Sequence, residues 1–149
     1  MVKLVPGTWV VIADGEKALF TENTASGWEP KLKVLSVEQQ DPEAVQSRPT
    51  DRPGRRADGG PNQKSAVEED TWRTHARALF AQDLADLLNR EGHKGAFSHL
   101  VLIASPQVLG LLRPNLHETV QARIVAEIDK TLTNHPLEKI EKVLADHTP

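Results

Sequence analysis

The stretch Ser47–Lys64 holds the densest set of groups able to act on another molecule. Arg48, Arg52, Arg55, Arg56 and Lys64 oppose only Asp51 and Asp58, so this stretch carries +3 while the 149-residue chain carries −3 at pH 7. Cations at this density can neutralise phosphates, and binding of that kind is steeply salt-dependent. Shortly beyond stand Trp72 and Arg73, an aromatic ring and a guanidinium plane on which an unpaired base can stack. The plainer reading of the same residues is a solvated, charged loop. The acidic remainder of the chain fits a protein-binding surface better than an RNA-wrapping one.

Other chemistries find less support. Asp14, Asp129 and either Asp83 or Asp86 are the acids that could hold paired Mg²⁺ ions for nuclease chemistry. However, the strand before Asp14, Trp9–Ala13, contains no acid. Turn capping by Asp14 and a surface ion pair between Asp129 and Lys130 or its neighbours account for the same residues. None of His75, His93, His99, His117, His135 and His147 falls at H-x-x-x-H or H-x-E spacing, so a zinc site is not expected. His75 reads as packed or partly exposed and His135 as a helix cap. The absence of cysteine removes thiolate zinc sites, iron–sulfur clusters, Cys nucleophiles and disulfides. Ser98 and Ser105 lack the G-x-S-x-G elbow, and there is no G-x-G-x-x-G or Walker loop. No cofactor is expected.

The elements that must position these groups follow from pattern. At 149 residues, with 38% hydrophobic and 26% charged residues, the chain fits one soluble domain within the usual allowance of about 100–200 residues. Its longest wholly apolar runs are Trp9–Ala13 and Leu100–Ala104, far short of the roughly 20 residues of a membrane span. No membrane insertion is expected, no signal-peptide core is evident, and a cytoplasmic location fits.

Thr8–Ala13 reads as a central strand, apolar on both faces. Lys17–Thr21 follows closely enough to form a hairpin with it, and Lys31–Val37 reads as a third strand at an edge. From Glu38 to Lys64 apolar periodicity is lost. Within Ser47–Lys64, six residues are Gly or Pro, which implies a long, disordered, basic loop. A capping box, Ser65-Ala66-Val67-Glu68, then opens a long helix. Its stripe is Trp72, Ala76, Leu79, Phe80, Leu84, Leu87 and Leu88, and Gly92 reads as its stop. His99–Ala104 reads as a buried strand. Ser105-Pro106 reads as N-cap and first turn of a short helix over Gln107–Leu112. Gln121–Ile128 reads as a strand, with helix possible from Leu116, and Pro136 starts a last helix. Gly110 reads as a site of close packing, or with Arg113 as a small anion-binding face. The order β-β-β-α-β-α-β-α predicts an α/β domain with a mixed five-stranded sheet and three helices.

Three phrases carry a family resemblance. They are Trp9-Val10-Val11-Ile12-Ala13-Asp14-Gly15 with Lys17-Ala18-Leu19-Phe20, then Leu102-Ile103-Ala104-Ser105-Pro106 with Leu109-Gly110-Leu111-Leu112-Arg113, then Ala126-Glu127-Ile128-Asp129-Lys130-Thr131-Leu132-Thr133 leading to His135-Pro136. The chain resembles the bacterial host-attachment protein family, also described as a bacterial branch of the archaeo-eukaryotic release-factor family, from about Trp9 to Leu144. The resemblance implies a ribonuclease-H-like or S11-like fold, similar to the middle domain of class-1 release factors. It also implies a Gly-Gly-Gln loop before the long helix, reaching the peptidyl-transferase centre. Here Gly59-Gly60-Pro61-Asn62-Gln63 holds that position, with Pro61 and Asn62 parting the glycines from Gln63.

The implied function is contact with ribosome or tRNA through Arg48, Arg52, Arg55, Arg56, Lys64, Trp72 and Arg73. Hydrolysis of the peptidyl-tRNA ester would then use Gly59, Gly60 and Gln63, the glycines for close backbone approach and Gln63 to orient water. A lone middle domain would lack codon reading, so ribosome rescue or state sensing fits better than termination. The alternatives are a non-enzymatic protein-interaction domain linked to attachment to host cells, and a metal-dependent nuclease.

Overall fold

The computed structural model describes residues 5–25, 29–40 and 66–147. Five strands form one mixed sheet: β1 (Trp9–Ala13), β2 (Lys17–Asn23), β3 (Leu32–Gln39), β4 (Leu100–Ala104) and β5 (Ile124–Asp129). Their spatial order is β3-β2-β1-β4-β5. β1 pairs antiparallel with β2, and β2 with β3. β1 pairs parallel with β4, and β4 with β5. Four α-helices accompany the sheet among the described residues: α1 (Ala66–His93), α2 (Pro106–Leu112), α3 (Glu118–Gln121) and α4 (Leu137–His147), with a 3-10 turn at Arg113–Asn115 after α2. The class is α/β, as the sequence implies, with one helix more than expected. The fourth is the single turn α3, which lies where helix is possible from Leu116; it overlaps the stretch read as strand only at Gln121, and the strand itself is Ile124–Asp129.

Full burial on both faces explains the unbroken apolar run of β1. Trp9, Val11 and Ala13 join Phe20, Phe80, Leu84, Leu88, Leu102 and Leu112 on the α1–α2 side. Val10 and Ile12 join Val101, Ile103, Ile128, Ile140 and Leu144 under α4. The two-residue alternation of a strand thus feeds two cores from one segment. Trp9 meets Phe20 edge-on at 6.1 Å and Phe97 at 4.9 Å between ring centroids.

Two glycines behave differently from the sequence reading. Gly92 does not stop α1. It is buried within the helix, where a Cβ would stand 3.0 Å from Val120 Cγ2 and 3.2 Å from Phe97 Cζ. The stop is Gly95, at φ 81°, a left-handed conformation that glycine adopts freely. Gly95 N–H donates to Gly92 O at 3.0 Å and Ala96 N–H to Glu91 O at 3.0 Å, the paired bonds of a Schellman motif. Gly110 is exposed, and a Cβ added there would meet nothing within 4 Å, so close packing is not its reason.

Other expectations need smaller changes. β3 continues through Gln39, so Glu38 and Gln39 belong to the strand and not to the loop. Ser105 caps α2 as expected, accepting from Val108 N–H at 3.3 Å, with Pro106 in the first turn. His135 does not cap α4, because Pro136 O takes the first helical bonds, from Lys139 and Ile140. Ser65, the cap on which the capping box depends, lies outside the described residues. Among the described residues no helix is long and apolar enough to cross a membrane.

Candidate nucleic-acid interface

A cleft of about 380 Å³ opens where β1 ends, lined by Asp14, Gly15, Glu16, Gln40, Trp72, Arg73, Ala76 and Arg77. Its floor is the β1–β2 turn. Asp14 Oδ1 accepts from Glu16 N–H and Lys17 N–H, both at 2.7 Å, and Asp14 N–H donates to Lys17 O at 2.8 Å. The second carboxylate oxygen accepts from Thr133 Oγ1 at 2.5 Å. Asp14 therefore caps the turn and fastens it to the segment before α4.

One wall is the N-terminal half of α1. Trp72 is half-buried and Arg73 exposed, while Arg77 lies across Gly15, where an added Cβ would meet its Nε at 3.0 Å. The side-chain-free surface of Gly15 thus seats the Arg77 stem. The other wall is Gln40. Its backbone N–H donates to Glu16 O at 2.8 Å, and its side-chain Nε2 donates to Ala76 O at 2.8 Å. Gln40 ties the end of β3 to both the turn and the helix.

Of the residues singled out from sequence, Trp72 and Arg73 line this cleft together. Arg48, Arg52, Arg55, Arg56, Gly59, Gly60, Gln63 and Lys64 lie outside the described residues. Arg77, Gln40 and Gly15 are additions that the sequence reading misses. A signal exists for Arg77, since Arg73 and Arg77 are four apart and so share a helix face. The partners across the turn depend on tertiary packing and leave no such mark. An indole beside two guanidinium groups can stack a base and pair with phosphate. Asp14 and Glu16, on either side of the Gly15 that seats the Arg77 stem, offset part of that charge, and the cations themselves come from α1.

The acids considered for metal chemistry do not converge. β1, β4 and β5 run parallel, which puts Asp14 and Asp129 at the same end of the sheet, with β4 between them. Two strand spacings separate them, roughly 10 Å. Asp14 is engaged by the turn and Thr133. Asp129 is exposed, and no ion pair with Lys130 forms among the described residues. Asp83 and Asp86 are exposed on α1. Among the described residues no group of three or more acidic or histidine side chains could hold a metal ion.

The Gly110–Arg113 anion face is not formed either. Arg113 Nε and Nη2 grip the Glu127 carboxylate at 2.9 and 2.5 Å. That hydrogen-bonded, opposite charge raises the Arg113 pKa above its ordinary value. The guanidinium is already committed to an anion supplied by β5.

The model of bacterial archaeo-eukaryotic release factor family 12 matches residues 7–144. The chain belongs to that family. No curated protein matches it.

Proposed function

We propose, from membership of this release-factor family, that the protein works on the translation machinery and contacts ribosomal or transfer RNA at the cleft beside α1. The observation that carries the proposal is the clustering of Trp72, Arg73 and Arg77 on one wall of that cleft. Arg48, Arg52, Arg55, Arg56 and Lys64 would add cations able to neutralise phosphates. Gly59-Gly60-Pro61-Asn62-Gln63 stands before α1 in the sequence, as a release-factor loop does.

The strand order β3-β2-β1-β4-β5, with β2 antiparallel to both its neighbours and β1, β4 and β5 parallel, supports a ribonuclease-H-like arrangement. If the loop is catalytic, the reaction is attack of water on the ester carbonyl of peptidyl-tRNA, releasing the peptide acid and the tRNA hydroxyl. Gln63 would orient that water and backbone N–H groups would stabilise the oxyanion.

The test is co-sedimentation with ribosomes across a salt series, beside a variant lacking Ser47–Lys64 and a variant carrying Arg73→Glu and Arg77→Glu. Binding that falls with salt and is lost in both variants supports the reading. Salt-insensitive binding, or none, removes it. Release of peptide from peptidyl-tRNA by the wild type but not by Gln63→Ala would add the catalytic step.

A further inference from the structure

We infer that the outer edge of β3 pairs antiparallel with β3 of a second copy of this chain, setting Lys33 opposite the second copy's Glu38 and Val34 opposite its Val37. Among the described residues no strand pairs with that edge. It is an eight-residue strand with unusual apolar exposure: Val34, Leu35 and Val37 are 38%, 39% and 51% exposed. A long apolar edge is a template for another strand unless charge, proline or a covering element blocks it.

The register follows from a bulge. The β2–β3 pairing runs Leu19↔Val37 and Phe20↔Ser36, then shifts to Thr21↔Val34, so Leu35 is the extra residue. Paired residues share a face. Val37 therefore lies on the α4 side with Leu19, and Val34 lies there with Thr21, whose partner Val10 belongs to the core under α4. Lys33 and Glu38 lie on the opposite side, through Glu22 and Ala18, which pair with Trp9 and Ala13 of the other core. In an unbulged strand, residues three or five apart would face opposite ways. Here Val34 matches Val37 in facing, and Lys33 matches Glu38.

The backbone polarity agrees. Gln40 N–H points inward to Glu16 O, and Lys31 O accepts inward from Thr24 N–H. Alternation from each end turns the backbone groups of Leu32, Val34, Val37 and Gln39 outward. Leu32 N–H agrees with that direction, since it leaves the ladder to donate to Glu141 Oε2 at 2.8 Å. Glu141 closes that end of the edge, and among the described residues no strand pairs with Lys33–Glu38 on that outer side. A two-fold axis perpendicular to the sheet at Leu35/Ser36 pairs Val34 with Val37 twice through outward backbone groups. It also pairs Lys33 with Glu38 twice at the closer, non-hydrogen-bonded positions. The strand is complementary to itself in charge, side-chain facing and backbone polarity. The contact is short, so the dimer is expected to be concentration-dependent.

The test is sedimentation equilibrium of the full chain from micromolar to sub-millimolar concentration. Lys33→Glu, Glu38→Lys and the double exchange are compared with wild type, with circular dichroism checking the fold of each. Each single reversal sets like charges opposite one another twice and is expected to raise the dimer dissociation constant roughly tenfold. The double exchange restores opposite charges and is expected to return it to near the wild-type value. A wild type that stays monomeric throughout overturns the proposal. So does a dimer indifferent to the single reversals, or single reversals that the double exchange does not repair.

Discussion

Thr133 and Asp14 are joined by a 2.5 Å hydrogen bond from the threonine hydroxyl to Oδ2, across 119 positions of sequence. Thr133 is 3% exposed. Its hydroxyl finds its acceptor on the first tight turn of the sheet, so one side of the cleft is braced from the segment before α4. Thr133→Val is expected to destabilise the fold by about 1.5–3 kcal/mol, the usual range for a hydrogen bond to a charged group. Urea unfolding measures this directly. A change within about 0.5 kcal/mol, the ordinary surface value, would mean that the bond does not brace the turn.

Gly92 and Gly110 give opposite expectations for one substitution. Gly92→Ala must push Val120 or Phe97 aside and is expected to cost about 1–3 kcal/mol. Gly110→Ala meets nothing and is expected to stabilise α2 by up to about 1 kcal/mol. Thermal melts of the two variants should move in opposite directions.

Trp72 can be separated from the arginines beside it. Loss of a stacked base costs about 1–3 kcal/mol, so Trp72→Ala is expected to weaken RNA or ribosome binding about tenfold. The slope of binding against salt should change little, because no phosphate contact is lost. Arg77→Gln is expected to reduce that slope by about one phosphate contact. If both variants change the slope alike, the indole does not stack.

The Arg113–Glu127 pair makes a prediction about pH. The carboxylate favours the charged guanidinium and raises its pKa in the folded state. The resulting stabilisation is whole below the unfolded-state value and is lost only as pH rises through the higher folded value. Between neutral and mildly alkaline pH, the stability difference between wild type and Arg113→Gln should therefore stay constant. It should shrink as salt screens this exposed pair. Unfolding curves at several pH values and two ionic strengths decide it.

The sheet is legible in the sequence because its signals are local. β1 is apolar at every position because both faces are covered, and Ser105-Pro106 marks the start of α2 through cap chemistry. Misreadings fall where a residue's reason lies in a distant neighbour. Gly92 looks like a helix stop, yet it is small because Val120 and Phe97 need the space. Arg113 looks like a free cation, yet Glu127 of another element claims it. At the cleft, Trp72 and Arg73 are visible as an aromatic beside a charge. Gln40 is not, because its role depends on the carbonyl of Ala76, which no spacing reveals.

Gln40 also fixes how this domain can change over time. By holding the end of β3 to α1 at Ala76, it sets the two ends of the intervening stretch on one flank. Ten helical residues, from Ala66 to Ala76, span only about 15 Å. A replacement stretch has to bridge a gap of that order and nothing more. If flexible, one of twice the length would add only about 0.6 kcal/mol in closure entropy. The sheet and helices can therefore act as a socket, and what is plugged into it can be exchanged for another length or charge while the cores on both faces stay intact.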